Sequence, residues 1–287
     1  MNLGHYCFSR DVADALSSNS PILAMESTIL THGLPHPENH QFLQKATEIV
    51  RSFGVAPATI AVINGTICVG LTAGQEKTLF RPEDRRIKIS LRDLGPSLST
   101  KASGGTTVSA TIHIAHRVGI PVFATGGIGG VHRGAEHSFD ISQDLLALSK
   151  YRVATISAGA KAVLDIRKTR EMLETLSVPI VGYKSARFPS FYFRGGGGKL
   201  SWRADTVEEL SSFLSHHFDM KTGGGVLVAN PPPKECVISA DLIEKVVASA
   251  VEKARKKRVF GKEITPFLLD EIKTETGGAS VKTNVAL

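Results

Sequence analysis

Aromatic side chains are scarce in this chain: one Trp, and 6% Phe, Trp and Tyr together, in 287 residues. Proteins that hold single-stranded nucleic acid stack bases on aromatics, so this shortage argues against that class. Cysteine is scarcer still. Cys7, Cys68 and Cys236 lie far apart and are odd in number, which gives neither a disulfide framework nor a zinc-ligand spacing. A reducing, cytoplasmic setting is the resulting expectation, with an organellar one left open. No apolar run is long enough for a bilayer, so no membrane partner is expected. The first residues lack a signal-peptide core, and Val285-Ala286-Leu287 is not a peroxisomal address.

What is present is ordinary in bulk and basic in balance. Hydrophobic residues make 42% and charged residues 21%, as in globular proteins generally. The net charge of +7 favours an anionic partner, either a phosphorylated metabolite or a nucleic acid. Much of the excess sits in Lys253-Ala254-Arg255-Lys256-Lys257-Arg258, at the end of a predicted helix. Cations suit the negative end of a helix dipole, so this run reads as a solvated helix end.

Apolar patterning alternates strand and helix along the whole chain. Strands are expected at Pro21–Met25, Thr59–Ile63, Ile67–Gly70, Lys88–Leu94, Pro121–Thr125, Val153–Ser157, Val178–Val181 and Val226–Ala229. Asn64-Gly65 reads as a hairpin turn. Helices are expected over residues 11–16, 39–53, 108–116, 142–148, from Ala162 to about Leu176, 206–218 and 241–257. Gly195-Gly196-Gly197-Gly198 reads as a flexible surface loop. This alternation argues for a layered α/β/α domain.

Several residues could carry chemistry. Lys161 follows the Val153–Ser157 strand and precedes the Ala162 helix, so it sits at a strand-to-helix turn. Ligands of open α/β sheets bind at such strand ends. A helix dipole and apolar neighbours would both favour the neutral, nucleophilic amine; a lysine snorkelling to solvent is the plainer alternative. Glu26 stands directly after an apolar strand, where desolvation would raise its pKa and suit it to donate a proton. A structural ion pair would place a glutamate there equally well. Gly126-Gly127-Ile128-Gly129-Gly130 with Val131-His132-Arg133-Gly134 fails the dinucleotide spacing. It reads either as a backbone cradle for phosphate or as a tight turn. Gly104-Gly105-Thr106-Thr107 is a second anion-site candidate before a helix. Asp140, Ser142 and Asp144 offer hard oxygen ligands for Mg²⁺ or Mn²⁺, although Ser142 also reads as a helix cap.

In combination these segments resemble the pseudouridine-5′-phosphate glycosidase family, also called the indigoidine synthase A-like family. The resemblance is carried in order by Glu26-Ser27-Thr28-Ile29, Thr31-His32-Gly33-Leu34-Pro35, Pro57-Ala58-Thr59-Ile60-Ala61 and Thr106-Thr107-Val108-Ser109-Ala110-Thr111. The longest block is Phe123 to Glu136. After it come Asp140-Ile141-Ser142, Ala158-Gly159-Ala160-Lys161, Thr265-Pro266-Phe267-Leu268-Leu269 and Thr276-Gly277-Gly278.

The resemblance implies a three-layer α/β/α sandwich around a largely parallel or mixed sheet, one domain over residues 1–287, assembled as a homotrimer. It implies reversible cleavage of the C–C glycosidic bond of pseudouridine 5′-phosphate to uracil and ribose 5-phosphate. On it Lys161 is the nucleophile, Glu26 the proton donor and Asp140 the ligand of Mn²⁺, with Mg²⁺ or another divalent ion as a substitute. Lys88, Val108, Ser142, Gln143 and Asp144 match substrate contacts, and Thr125, His132 and Asn284 match residues of the same pocket. Family members usually continue through a further helix beyond the position of Leu287, and the Phe193–Trp202 loop matches poorly. Three rival readings remain. One is an aldolase-type Schiff-base lyase acting on a phosphorylated sugar. Another is a non-catalytic RNA-binding α/β protein. The last is a relative recruited to blue-pigment biosynthesis.

Overall fold

The computed structural model describes residues 4–81, 86–259, 261 and 264–287. The chain divides into two units, Met1–Ala124 and Thr125–Leu287. The first contains β1 (Tyr6–Phe8), α1 (Arg10–Ser18), β2 (Ile22–Met25), α2 (Glu38–Ser52), β3 (Ala56–Ile63), β4 (Thr66–Val69), α3 (Ala73–Leu79), β5 (Ile87–Ile89), α4 (Leu94–Ser99), β6 (Gly104–Thr106), α5 (Val108–Arg117) and β7 (Val122–Ala124).

β3 is the axis of this unit. Every residue from Pro57 to Ile63 is buried, so both of its faces are covered. That is the behaviour of a continuous apolar strand inside a layered α/β fold. Its first half runs parallel to β2. Its second half pairs antiparallel with β4 and with β6. Asn64 and Gly65 adopt φ of 49° and 73°, the left-handed pair that the expected hairpin requires. The remaining pairs, β1 with β4, β2 with β7 and β5 with β6, are parallel.

Two expectations change here. The strand foreseen over Lys88–Leu94 stops at Ile89, because Ser90 and Asp93 cap each other reciprocally and turn the chain into α4. Gly104-Gly105-Thr106 is strand β6 rather than a helix-capping anion loop. A Cβ at Gly104 would lie 2.0 Å from the Ile87 carbonyl oxygen, and one at Gly105 would lie 2.6 Å from that of Ser27. The glycines are there because backbone passes backbone too closely for a side chain. Gly105→Ala is therefore expected to cost about 1–3 kcal/mol by overpacking. Gly74→Ala, in α3 with nothing within 4 Å of the new methyl, should be neutral or gain up to about 1 kcal/mol. Urea midpoints of the two variants check this; equal midpoints would refute it.

Sequence distance also hid a neighbour. The parallel register of β1 and β4 sets Cys7 opposite Cys68, with Sγ atoms 3.1 Å apart.

The second unit holds α6 (Ala135–Ser138), α7 (Gln143–Lys150), β8 (Ala154–Ser157), α8 (Ile166–Thr175), β9 (Ile180–Tyr183), β10 (Trp202–Ala204), α9 (Val207–Asp219), β11 (Val226–Ala229), α10 (Ala240–Lys256), α11 (Ile264–Glu275) and α12 (Ala279–Ala286). Its strands lie in the order β8-β11-β9-β10, all parallel. Gly195–Gly198 is pinned rather than loose. Phe188 N–H donates to the Gly198 carbonyl at 2.9 Å, Ser190 Oγ donates to the Gly195 carbonyl at 2.7 Å, and Phe188 itself is fully buried. The glycines let the chain wrap that ring: a Cβ at Gly197 would lie 2.5 Å from Phe188 Cδ1. In the basic run, Lys253 pairs with Glu271 and Glu275 of α11 at 2.7 and 2.8 Å. The exposed Lys256 and Arg258 are solvated, as expected. Among the described residues no helix is long and apolar enough to cross a membrane.

Candidate active site

In the second unit the strand leading to Lys161 does not end at Ser157. Residues 158–161 run on beside the glycine-rich segment as a narrow ribbon. Thr125 N–H donates to the Ile156 carbonyl, Ala158 N–H to Gly126, Ile128 N–H to Gly159 and Lys161 N–H to Ile128, at 2.9–3.1 Å. Gly159 adopts φ +81°, and a Cβ there would lie 2.2 Å from the Pro189 carbonyl oxygen. This local irregularity lets the ribbon prolong β8 by one more paired residue, Ala160 opposite Ile128. Lys161 is the next residue, half-buried at the ribbon's end.

The helix after it begins later than the sequence suggested. Ala162, Val163 and Leu164 are buried, and Leu164 bridges His132. Asp165, which accepts the Lys168 N–H at 3.0 Å, caps α8 at Ile166. Lys161 is thus no helix N-terminal residue, and the dipole of α8, which starts at Ile166, does not begin at its amine as the sequence suggested.

The other edge of the ribbon gathers the oxygen-bearing residues. His132 N–H donates to the Asp140 carbonyl at 3.0 Å and Ser142 N–H to the Gly130 carbonyl at 2.9 Å. Buried Asp144 accepts the Gly129 N–H through Oδ2 at 2.8 Å, and Ser142 Oγ accepts the Asp144 N–H at 3.2 Å as the cap of α7. Gln143 lies between these two in the first turn of α7. Asp140 is half-buried, and its backbone N–H donates to Ser138 Oγ. Lys161 and the Asp140–Asp144 segment, 17 residues or more apart in sequence, are thereby fastened to the same five-residue stretch, 128–132.

The phosphate-cradle reading of the glycine run does not survive this geometry. Four of its amides, at Ile128, Gly129, Val131 and His132, already donate inside the protein. None of Gly126, Gly127, Gly129 and Gly130 has the positive φ that a backbone nest uses. The glycines make room for neighbours instead. A Cβ would lie 2.4 Å from Phe191 Cδ2 at Gly127, 2.4 Å from Ser142 Oγ at Gly129 and 2.4 Å from Thr169 Oγ1 at Gly130.

Two supporting residues escaped the sequence reading. Thr169 is fully buried; its hydroxyl accepts the Val131 N–H at 3.0 Å and donates to the Asp165 carbonyl at 2.7 Å. Its signal was helical spacing, since Thr169 and Leu173 are the buried positions of α8, four residues apart. Phe191, 2% exposed, backs Gly127; a run of glycines is itself a sign that something bulky lies against it.

Asn284, uninformative in the sequence, reaches the start of the ribbon beside Thr125. Its Oδ1 lies 3.2 Å from where a Gly126 Cβ would be. α12 is held for this by Thr283 Oγ1 donating to the Cys236 carbonyl at 2.6 Å and by a side-chain hydrogen bond between Ser280 and Tyr192. Burial pushes the Tyr192 phenol up, so it stays a neutral anchor.

In the first unit Glu26 follows the last residue of β2 and is half-buried. β6 meets the end of β2 head-on along the same edge of β3. Ser27 Oγ and Thr106 Oγ1 both donate to the Ile60 carbonyl at 2.6 Å. Thr106 N–H donates to Ser27 Oγ at 3.0 Å, and Thr28 Oγ1 donates to the Thr106 carbonyl at 2.8 Å. Glu26 is therefore carried on a tightly bonded junction, and the wide helical turn Ile29–Gly33 follows at once. Such turns recur at functional sites. Val108, 1% exposed, opens α5 just past the same junction, and Lys88 pairs with Gly105 across β5 and β6. A cleft of about 500 Å³ elsewhere in this unit is lined by Ser9, Thr47, Arg51, Thr59 and Glu76 and holds none of Glu26, Lys88 or Val108. A cleft of about 330 Å³ in the second unit runs past Arg133, Asp165 and Ser190 without Lys161 or Asp140.

Among the described residues no three His, Cys, Asp or Glu side chains converge as a metal cage. Asp140 with nearby hydroxyls is a sparse, hard-oxygen donor set. It fits a cation that keeps most of its water, as Mg²⁺ and similar ions do, and not a closed thiolate or imidazole site.

The fold and these residues define a mixed, mostly parallel α/β protein with chemistry-bearing side chains at the ends of strands. The chain belongs to the indigoidine synthase A like protein family, whose profile matches residues 11–287. It is 45% identical over 280 residues to the pseudouridine-5′-phosphate glycosidase of Geobacillus kaustophilus (98% of this chain, 93% of the relative). It is 45% identical over 279 residues to that of Clostridium botulinum (97% and 91%). Among solved structures, it resembles an indigoidine synthase A-like protein from Thermotoga maritima with TM-score 0.86 and 36% identity, covering 93% of this chain and 87% of that one. It also resembles the prealnumycin C-glycosynthase AlnA, solved with ribulose 5-phosphate, at TM-score 0.87 and 34% identity, covering 98% and 91%.

Proposed function

We propose that this protein is an enzyme that reversibly cleaves the C–C glycosidic bond of pseudouridine 5′-phosphate, giving uracil and ribose 5-phosphate. The near-full-length similarity to proteins bearing that name carries the proposal. The net charge of +7 suits the phosphorylated substrate.

A C–C glycoside offers no heteroatom leaving group, so the two-carboxylate route of ordinary glycosidases is inadequate. In the proposed reaction Lys161 Nζ bonds to C1′ and loses a proton as the ring oxygen leaves C1′ and gains one. The nitrogen lone pair then expels the uracil. The electrons of the C1′–C5 bond pass to C5, are delocalised into the carbonyls and end as a C–H bond. An imine to Lys161 remains, and water hydrolyses it to ribose 5-phosphate and the free amine. Glu26 carries protons for the ring oxygen or the uracil carbon. Lys88, Val108, Thr125, His132, Ser142, Gln143, Asp144 and Asn284 bind and orient the substrate, whose phosphate supplies remote binding energy. Asp140 would hold Mn²⁺ or Mg²⁺, which when bound would supply positive charge for an anionic substrate and its water. The protein acts in the cytoplasm as a homotrimer, with no nucleic-acid or membrane partner.

The test is direct. Purified protein with Mn²⁺ should release uracil from pseudouridine 5′-phosphate. It should also consume ribose 5-phosphate only when uracil is added. Borohydride quenching during turnover should leave a ribose phosphate adduct on the peptide containing Lys161. Consumption of ribose 5-phosphate without uracil would favour the aldolase-type reading instead.

A further inference from the structure

We propose that Cys7 and Cys68 form a reversible intramolecular disulfide on exposure to a hydroperoxide, a modification that fastens the N-terminal strand to β4. The two residues are register partners on adjacent parallel strands, so their Cα atoms are at a disulfide-compatible spacing. Their Sγ atoms are 3.1 Å apart, and the Cys7 thiol donates to Cys68. Gln75 frames the pair. Its Oε1 accepts the Thr72 N–H at 2.8 Å, which turns its amide nitrogen toward both sulfurs, 3.3 Å from Cys7 and 3.2 Å from Cys68. That amide is placed to donate a hydrogen bond to either sulfur.

The two cysteines differ in access. Cys68 is 1% exposed, whereas Cys7 is half-buried on β1. Burial and the Cys7 neighbour push the Cys68 thiol up, so Cys7 meets the oxidant first. The Cys7 thiolate takes an oxygen from the peroxide and becomes the sulfenic acid, releasing hydroxide. Cys68 sulfur then attacks the Cys7 sulfur, losing its proton, and the sulfenic oxygen departs as water. Overall two thiols and one H₂O₂ give one disulfide and two waters. The link closes a 61-residue separation, long enough for a sizeable effect on the unfolded chain.

The experiment treats the native full-length chain with a small excess of H₂O₂ and counts thiols in guanidinium. The count should fall from three to one, Cys236 remaining. Non-reducing peptide mapping should join the Cys7 and Cys68 peptides with loss of two hydrogens. The thermal midpoint should rise by about 3–10 °C, and dithiothreitol should reverse both changes. Cys7→Ser should keep its two remaining thiols, Cys68→Ser should lose the Cys7 thiol to oxygenated forms without any disulfide, and neither variant should show the rise. The proposal is overturned if Cys7 instead accumulates as sulfinic acid, pairs with Cys236 or a second chain, or joins Cys68 only in denaturant. An unchanged midpoint after confirmed linkage would overturn the fastening role.

Discussion

Replacing Lys161 by Ala should lower kcat by at least about 10⁴-fold, on the scale seen when a covalent nucleophile is removed from an enzyme, while the protein still folds. The two halves of this expectation have separate grounds. Catalysis should fail because, in the proposed reaction, the amine forms the bond to C1′ through which the uracil is expelled. The fold persists because what Lys161 gives the ribbon is backbone: its N–H to the Ile128 carbonyl at 3.1 Å and its carbonyl to the Leu164 N–H at 3.0 Å. Alanine keeps both, and the lost side chain is only half-buried. The thermal midpoint should therefore move little. Lys161→Arg separates charge from nucleophilicity. A guanidinium keeps the positive charge but does not form the imine, so this variant should be as inactive as the alanine one. Both should lose the borohydride-trapped adduct. Turnover by Lys161→Arg within tenfold of the parent would remove the covalent role, leaving Lys161 as an electrostatic contact.

How the ribbon is built explains why part of the site could be read from the sequence and part could not. A strand rich in Ala, Thr and Ile before Lys161 announces a strand end, because β-branched and small apolar residues recur there without helical spacing. Where α8 begins is a different matter. Ala162-Val163-Leu164 has helical spacing, yet these residues are consumed by packing and by the Leu164–His132 bridge before Asp165 caps the helix. Local propensity yields to such tertiary pairing. The glycine run was left open between a phosphate cradle and a tight turn for the same reason. Four glycines in five residues are compatible with an anion nest until the positions of Phe191, Ser142 and Thr169 are known, and those come from segments up to 64 residues away. Only parallel register brings Cys7 to Cys68, so a spacing rule for cysteines was blind to it. By contrast the Asn64-Gly65 hairpin was legible because φ preference is a property of those two residues alone.

Glu26→Gln is expected to reduce kcat by about 10²–10⁴-fold, the range for loss of a positioned general acid, with KM changing no more than about threefold. Glutamine has the size and one carbonyl oxygen of the glutamic acid but cannot give or take the proton. The support around it stays whole, because Ser27, Thr28 and Thr106 hold the junction through bonds that do not involve the Glu26 side chain. The circular dichroism spectrum should match the parent. Glu26→Asp keeps the acid but withdraws it by one methylene, so it should recover part of the lost rate where glutamine does not. The pH profile adds an independent readout. If the carboxyl is the proton carrier, the limb of the kcat profile that it controls should vanish in Glu26→Gln and shift in Glu26→Asp. A glutamate that merely binds the ribose would behave otherwise: the loss would appear in KM, both variants would share it, and the pH profile of kcat would keep its shape.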